Sequence, residues 1–476
     1  MSRYRMTDAR HWCVPALLGV IGASTIAGVE VACSSSRPPP ATVVETMEAG
    51  PDASAPFAFQ QLGCGQAGTQ SAIAVSGSKV GVASLASTTT TQTCTIMPLG
   101  PVMTSQVPVW NVCYAESKSD GTFSSAVVTS QPYVAPTGVG LAFDSAGNPG
   151  IAFTGVGAMP AMERCGANDA FLTKATGGTF GAPLQISHGS ASDGLVASQA
   201  GNCSQGVCNS GDVTGWWPAL GFDPNNNAMM AYRDVHFGFS NDDLFAKSDL
   251  ELAEGSGGSY SVLTIDVSRG GGIYNRLAFT PSGLPAVLHY STGGMPGVYV
   301  NRDLVSGGLG AQEADGGSSS TQVFSGQVDP QLGFGINAQG LFAAAYHDTG
   351  TSQLFYVESS DGSTWSTPTP VDTDGTTGQY PSLAFDSSGD PAIAYYRCNG
   401  THGATACDPT QDGLYLARRL GGTWSTEVVH TDSSVTDGLY PALGFANGKA
   451  VIAFQVTSYD PVSKTSSATW WIAEEQ

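Results

Sequence analysis

A motif that recurs seven times restricts the folds open to this chain of 476 residues more than any other feature. Each copy has an apolar triplet, a short polar turn and a second apolar run, as in PSLAFDSSGDPAIAYY from Pro381. One apolar residue of the triplet serves as an anchor, and the seven anchors are Ile73, Leu141, Leu220, Leu277, Leu332, Leu383 and Leu443. Successive anchors are 51 to 79 residues apart, which indicates one repetitive architecture rather than unrelated domains.

Each repeat contains four short strands. In the copy from Pro381 the sequence predicts strands at 383–385, 392–396, 414–418 and 423–429, separated by polar or glycine turns. Seven four-stranded antiparallel units, with almost no helical period, predict an all-β fold that is a seven-bladed β-propeller. A β-helix or a pair of β-sandwiches is the alternative, but neither explains the even spacing.

The two ends of the repeat region complement each other. The last copy has three strands before the chain ends, and the apolar segment 56–59 precedes the first copy. A blade cannot leave a long edge unpaired, so we expect this N-terminal segment to supply the missing strand and close the ring. The propeller is therefore predicted over residues 57–476.

Residues 1–33 have the features of an export signal. Three arginines precede an uncharged, mostly apolar run at 13–29, which is short for a bilayer span. The following VACSSS resembles the lipobox of bacterial lipoproteins, in which the cysteine, here Cys33, is acylated. Glu30 stands where that family prefers an apolar residue, and an uncleaved anchor or cleavage near Ala27 are the alternatives. The resemblance implies a lipid-anchored protein of the bacterial outer membrane or cell surface.

Residues 34–56 and the overall charge add to this organisation. The segment is rich in Ser, Pro and Ala and contains no aromatic residue, so it is predicted to be a disordered tether. Eighteen basic and 39 acidic residues give a net charge of -21, which excludes general binding to nucleic acid. We expect a monomer whose only membrane contact is the N-terminal lipid.

Cysteine usage agrees with export. Eight cysteines follow Cys33, an even number that fits disulfides formed outside the cytoplasm. Spacing predicts two local pairs, Cys203 with Cys208 and Cys398 with Cys407. The other four allow three pairings, and the sequence does not choose among them: Cys64, Cys94, Cys113 and Cys165.

The turn after a third strand carries a family resemblance. SSDGSTW, from Ser359 to Trp365, resembles the Asp-box turn of sialidase-like propellers, although it is one residue short. KSDGTF from Lys118 is a weaker form. The resemblance implies a sialidase-like fold and not an activity, because the box is a structural turn on the face away from the usual ligand site.

Long connections collect on one face of the predicted ring, at 87–110, 154–168, 187–217 and 397–413. Insertions on one face of a repeat protein mark a binding face. Four anchors have an aromatic residue three positions before them: Trp217, Tyr274, Tyr380 and Tyr440. Trp216 adds a fifth aromatic ring. They are predicted to bind a glycan or protein ligand at the channel mouth. The alternative is that they pack between blades.

Polar residues end several second strands on the same face: Arg233, His347, Asp348 and Arg397. They are candidate ligand-binding residues, with solvated loop pairs as the alternative for Arg233 with Asp234 and for His347 with Asp348. A sialidase-like site needs several convergent arginines and an acid pair, and Arg276 is a third arginine for such a cluster.

Motifs for enzymes, metals and cofactors are absent, and Asp144, Asp223 and Asp386 are predicted to cap turns rather than bind calcium. No cofactor and no metal are therefore predicted. The sequence favours a non-catalytic surface binding module, with a sialidase-like glycoside hydrolase as the alternative.

Overall fold

Runs of β-branched and aromatic residues separated by glycine turns fold into β-strands throughout the computed structural model. The residues it describes are 56–64, 66–95, 104–132, 137–156, 168–189, 203–204, 207–208, 213–235, 248–266, 270–292, 296–302, 320–328, 330–399, 412–432, 435–460 and 462–476. Residues Ala55–Gln476 belong to one compact unit. The predicted signal and nearly all of the predicted tether lie outside the described residues.

The strands form seven antiparallel sheets, which we call blades 1 to 7 in chain order. Strand β1 (Phe57–Leu62) precedes them. Blade 1 consists of β2 (Gln66–Ser76), β3 (Lys79–Thr95), β4 (Thr104–Ser117) and β5 (Phe123–Pro132). Blade 2 consists of β6 (Val139–Phe143), β7 (Pro149–Val156), β8 (Asn168–Thr176), β9 (Thr179–Phe180) and β10 (Leu184–Gln185). A hairpin of β11 (Cys203–Ser204) and β12 (Val207–Cys208) follows blade 2.

The remaining blades repeat the four-stranded plan. Blade 3 consists of β13 (Val213–Phe222), β14 (Ala228–Val235), β15 (Asp249–Ser256) and β16 (Ser259–Asp266). Blade 4 consists of β17 (Ile273–Phe279), β18 (Pro285–Ser291), β19 (Gly297–Asn301) and β20 (Ser320–Ser325). Blade 5 consists of β21 (Gly333–Ile336), β22 (Phe342–Asp348), β23 (Gln353–Ser359) and β24 (Thr369–Asp372). Blade 6 consists of β25 (Thr376–Phe385), β26 (Pro391–Asn399), β27 (Gly413–Leu420) and β28 (Thr423–His430). Blade 7 consists of β29 (Thr436–Ala446), β30 (Lys449–Asp460), β31 (Thr465–Glu475) and β1.

The first strand of each blade lies innermost and forms the ring. Each of these strands contacts the next, from β2 through β6, β13, β17, β21, β25 and β29, and β29 contacts β2 again. Strand β1 pairs antiparallel with β31, from Phe57 opposite Glu475 to Leu62 opposite Trp470. The seven-bladed propeller and its closure by the N-terminal strand are therefore confirmed.

The hydrophobic cores lie between neighbouring blades. One cluster joins blades 4 and 5 through Leu288, Phe334 and Tyr346, and another joins blades 1 and 2 through Leu85 and Phe153. Every residue of β14 is buried, as the continuous apolar second run of each repeat predicts. A blade covers its faces only with its neighbours, so the ring is the cooperative unit.

Two details differ from the sequence prediction. The predicted anchor of blade 5, Leu332, is two residues too early. The first turn of blade 5 begins at Asn337, and the corresponding turns of blades 2, 3, 4 and 6 begin three residues after their anchors. The anchor of blade 5 is therefore Phe334. The connection 87–110 is largely not a loop. Its run of β-branched threonines extends β3 and β4 into a long hairpin with Thr95 opposite Thr104.

The structure decides one open cysteine pairing and bears on one predicted pair. Cys64 and Cys113 form a disulfide, which selects among the pairings that the sequence left open. Cys398 is disulfide-bonded, and its predicted partner Cys407 lies outside the described residues. No helix in the described part of the chain is long and apolar enough to cross a membrane.

The Asp-box segment is a structural turn, as its resemblance implies. Between β23 and β24 the Ser359 hydroxyl accepts a hydrogen bond from the amide of Gly362 at 2.8 Å. Asp361 accepts from the amides of Ser363 and Thr364 at 2.8 and 2.9 Å. The hydrogen bonds from the Ser363 hydroxyl and from these amides hold the pKa of Asp361 well below its usual range. The box therefore stabilises a hairpin on the face opposite the long connections.

Candidate functional site

All seven blades carry a residue with left-handed backbone at the same place, three positions before the anchor. Only one of the seven is glycine, and their φ angles lie between 50° and 114°: Gln70, Gly138, Trp217, Tyr274, Gln331, Tyr380 and Tyr440. The pairing of the first and second strands shifts register here, for example between Gln379 and Ser382, so the inner strand bulges. The bulge is a property of the fold, and the identity of the residue is what varies.

The aromatic members of this set contact one another in two groups. The Trp217 ring lies 5.5 Å from that of Tyr274 and 5.7 Å from that of Trp216. The Tyr380 ring lies 4.3 Å from that of Tyr440. All five rings are only partly buried. The structure thus brings the predicted aromatic residues together around the ring of inner strands, although Trp217 and Tyr274 also pack against the core between blades 4 and 5.

Gln331 separates the two aromatic groups. Its side-chain amide donates to the carbonyl of Pro441 at 2.6 Å and to that of Pro381 at 3.4 Å. It therefore joins blade 5 to blades 6 and 7 across the inner ring. The sequence analysis missed it because Leu332 was taken as the anchor of blade 5, and the residue three positions before Leu332 is Asp329.

A second layer of side chains lies behind the aromatic residues. Fully buried Arg233 lies with its guanidinium 5.6 Å from the centre of the Trp217 ring. Tyr290 stacks on Tyr274 and Tyr396 packs on Tyr380, both at 6.4 Å. The sequence analysis did not single out these two tyrosines. The available signal was their position near the ends of second strands, since Tyr290 is one residue before the end of β18 and Tyr396 directly precedes Arg397 in β26.

The three candidate arginines have different neighbours. Arg276 donates to the carbonyls of Leu332 and Asn275 at 2.8 and 3.1 Å, and burial lowers its pKa to about 10. Arg397 lies 4.0 Å from Asp372 and 3.9 Å from Asp374. Arg233 instead faces the Trp217 ring. The three guanidinium groups therefore do not converge on one point in the described residues where they could bind the same carboxylate.

The interpretation of Arg233 with Asp234 as a solvated loop pair is wrong, because both residues are buried. Asp234 lies with Asp249 and Glu251 in a group whose carboxylate oxygens are within 4.8 Å of one another. Burial, and then the charges of Glu251 and Asp234, raise the pKa of Tyr232. Carboxylates so arranged are oxygen ligands that suit a hard divalent cation.

His347 and Asp348 also differ from a solvated pair. His347 is buried, whereas Asp348 accepts hydrogen bonds from the Gly350 amide and the Thr351 hydroxyl, both at 2.9 Å. Asp348 thus caps the turn between β22 and β23. The prediction that it binds a ligand remains a prediction.

Buried polar contacts join neighbouring blades at equivalent places on the long-loop face. The last residue of β16, Asp266, lies 3.5 Å from His289 of blade 4. At the end of β24, Asp372 accepts from the hydroxyls of Tyr395 and Thr377 at 2.6 and 2.8 Å.

At the end of β28 the fourth strand supplies the histidine and the next blade supplies the aspartate. His430 lies 2.7 Å from Asp437 of blade 7. Burial raises the pKa of Asp437, and the hydrogen bond with His430 opposes that rise. Polar contacts of this kind are structural, and they account for several acids on this face.

Comparisons with known proteins concern the fold. No protein-family model matches the chain, and no curated protein sequence matches it. The polysaccharide lyase Uly1 is similar at 8% identity and TM-score 0.49, over 87% of this chain and 91% of that one. The NanB sialidase of Streptococcus pneumoniae is similar at 10% identity and TM-score 0.41, over 88% and 94%. The Hadza microbial sialidase Hz136 is similar at 13% identity and TM-score 0.42, over 79% and 74%. The seven-bladed propeller itself follows from the strand pairing within this chain.

Proposed function

We propose that this protein is an exported, non-catalytic binding module whose propeller holds a glycan at the mouth of its central channel. The observation that carries the proposal is the aromatic occupancy of the inner-strand bulge. A non-glycine residue in left-handed backbone costs about 1 kcal/mol, and glycine would remove that cost, as Gly138 does in blade 2. Four blades nonetheless place Trp or Tyr there, so the ring must supply packing, binding or both.

Partial exposure supports a binding role. Trp217, Tyr274, Tyr380 and Tyr440 are not fully buried, so part of each ring is open to a ligand. Flat aromatic surfaces are suited to stacking on sugar rings, and long connections on this face add contact area. Arg233, Arg276 and Arg397 have separate neighbours, which supports binding without the chemistry of a sialidase.

Binding is tested with the purified full-length chain on a glycan array and with a set of sialosides. We expect glycan binding, no sialoside hydrolysis, and about tenfold weaker binding after combined Trp217→Ala and Tyr380→Ala replacement. Trp424→Ala is the matched control, because Trp424 is a partly buried ring that packs 5.1 Å from Tyr356 in the outer part of the ring. Unchanged binding in the double variant would return the channel aromatics to a packing role. Turnover of a sialoside would refute the non-catalytic proposal.

The proposal includes the cellular location of the protein. Acylation of Cys33 would attach the propeller to the bacterial outer membrane or cell surface through the tether 34–56, and the module would act as a monomer. Cys33→Ser should abolish incorporation of labelled lipid and release the chain from membranes. A Cys33→Ser variant that keeps both properties would show a different mode of attachment, and Cys13→Ser is the control.

A further inference from the structure

Arg397 presents hydrogen-bond donors that the described residues do not use. Its side chain is 15% exposed, and its buried Nε atom has no hydrogen-bond partner in the part of the chain that the structure describes. The Nη1 atom lies 4.0 Å from a carboxylate oxygen of Asp372, and Nη2 lies 3.9 Å from one of Asp374. Both distances are too long for direct hydrogen bonds. A largely buried guanidinium in this state is costly unless another group satisfies it.

The surroundings hold Arg397 in place without satisfying it. Its guanidinium lies 5.2 Å from the centre of the Tyr415 ring, which supports its planar face. Asp372 already accepts from Tyr395, Thr377 and the amide of Asp374, so its oxygens have partners closer than Arg397. The Arg397 donors therefore lie at the junction of blades 5 and 6, on the long-loop face, beside the exposed carboxylate of Asp374.

The charges here disfavour an anionic ligand. Asp374 is 79% exposed at the surface and Asp372 lies behind it, so two carboxylates surround one guanidinium. The chain as a whole carries a net charge of -21. A sulfate, uronate or sialate group that approached Arg397 would meet Asp374 and a negative field.

A neutral hydroxyl fits the same geometry. One hydroxyl can accept a hydrogen bond from an Arg397 N–H and donate its own proton to Asp374, and 3.9 Å between these groups is a distance that a bridging oxygen can span. Adjacent hydroxyls of a sugar can make such a bridge twice. We infer that Arg397 and Asp374 form a subsite for an uncharged, hydroxyl-rich glycan. This inference rests on the proposed glycan binding and names its ligand class.

The test compares neutral oligosaccharides with sialylated, uronate-containing and sulfated ones, using the full-length chain. Neutral glycans should bind most tightly. Asp374→Ala should weaken that binding about tenfold, because a hydrogen bond to a charged group is lost. Arg397→Lys, which keeps the charge and removes the planar fork, should weaken it as well. Glu427→Ala is the control, since Glu427 is a half-exposed acid of the same blade, in β28, that pairs with Arg418.

Asp374 is exposed, so its variant should fold, and thermal unfolding checks both variants. Tighter binding of acidic glycans that depends on Arg397 would overturn this inference and leave the proposed function standing. Neutral-glycan binding that neither variant changes would place the ligand elsewhere and would also overturn it. Failure of every glycan to bind would remove the proposed function together with this subsite.

Discussion

The two faces of the ring follow different rules. On the short-turn face, blades 2 to 6 use the same turn, in which the first residue bonds to its own turn through both backbone and side chain: Asp144, Asp223, Thr280, Asn337 and Asp386. The fourth residue of each turn has left-handed backbone and is Gly or Asn. The hydrogen bonds that shape each turn lie within five consecutive residues. Contacts outside the turn add to them, as where Lys174 pairs with Asp144.

On the long-loop face the same position is filled differently from one junction to the next. Asp266 meets a histidine, Asp372 meets a tyrosine and a threonine, and His430 meets an aspartate. Each contact joins residues of different blades, and the partners can be exchanged as long as they satisfy each other. Local sequence therefore defines one face, whereas contacts between blades define the other. Differences in ligand binding are therefore expected on the long-loop face.

The largest expected effect comes from a glycine at a junction. Gly378 has φ of 88°, and an added Cβ would overlap the Cβ of buried Leu354 and lie 2.7 Å from its Cα. Gly378→Ala should lower the free energy of unfolding by about 3–5 kcal/mol, because backbone strain and a clash in a packed core add together. Gly421→Ala on the short-turn face is the control: φ is 58° and the site is open, so about 1 kcal/mol is expected. Urea unfolding measures both, and equal losses would contradict the close approach of the blades.

A smaller effect is expected from removing one carboxylate on each face. Asp372→Ala leaves the buried hydroxyls of Tyr395 and Thr377 without their acceptor and should cost about 2–4 kcal/mol. Asp386→Ala removes two side-chain bonds to amides of its own turn and should cost about 1 kcal/mol. The same unfolding experiment compares them. A larger loss for Asp386→Ala would show that the short turns, rather than the junctions, hold the ring together.

How much the sequence could predict follows the same division. The turn at Asp386, the anchor Leu383 and the closing strand from Phe57 were all predictable, since each depends on a pattern within a few residues. The error at blade 5 arose because Leu332 and Phe334 are both apolar and two residues apart, a spacing that keeps the same face of a strand. Only the turn at Asn337 distinguishes them.

The candidate site was partly predictable. The shared position of Trp217, Tyr274, Tyr380 and Tyr440 is visible in the repeats, but its left-handed backbone is not, because no sequence rule assigns that backbone to an aromatic residue. The burial of Arg233 depends on packing against blade 4, where an added Cβ at Gly272 would lie 3.0 Å from its Cβ. Asp374 was missed because one exposed acid among 39 has no local signature.

The smallest expected effect is a difference in the sign of pH dependence between the faces. Burial acts to raise the pKa of Asp144, but hydrogen bonds from Lys174 and Asn148 outweigh it and lower the pKa to about 2. The stabilising contribution of Asp144 is therefore present above about pH 4, the usual range of an unfolded aspartate, and is lost as the pH falls toward 2. Burial raises the pKa of Asp437, so the contribution of Asp437 is fully present below about pH 4 and is lost as the pH rises.

Asp144→Asn should be less stable than wild type at pH 5, with the gap closing toward pH 2. Asp437→Asn should instead gain on wild type as the pH rises from 4. Unfolding free energies between pH 2 and 6 measure both slopes, and slopes of equal sign would show that the acids on the two faces do not differ in the way that their surroundings require.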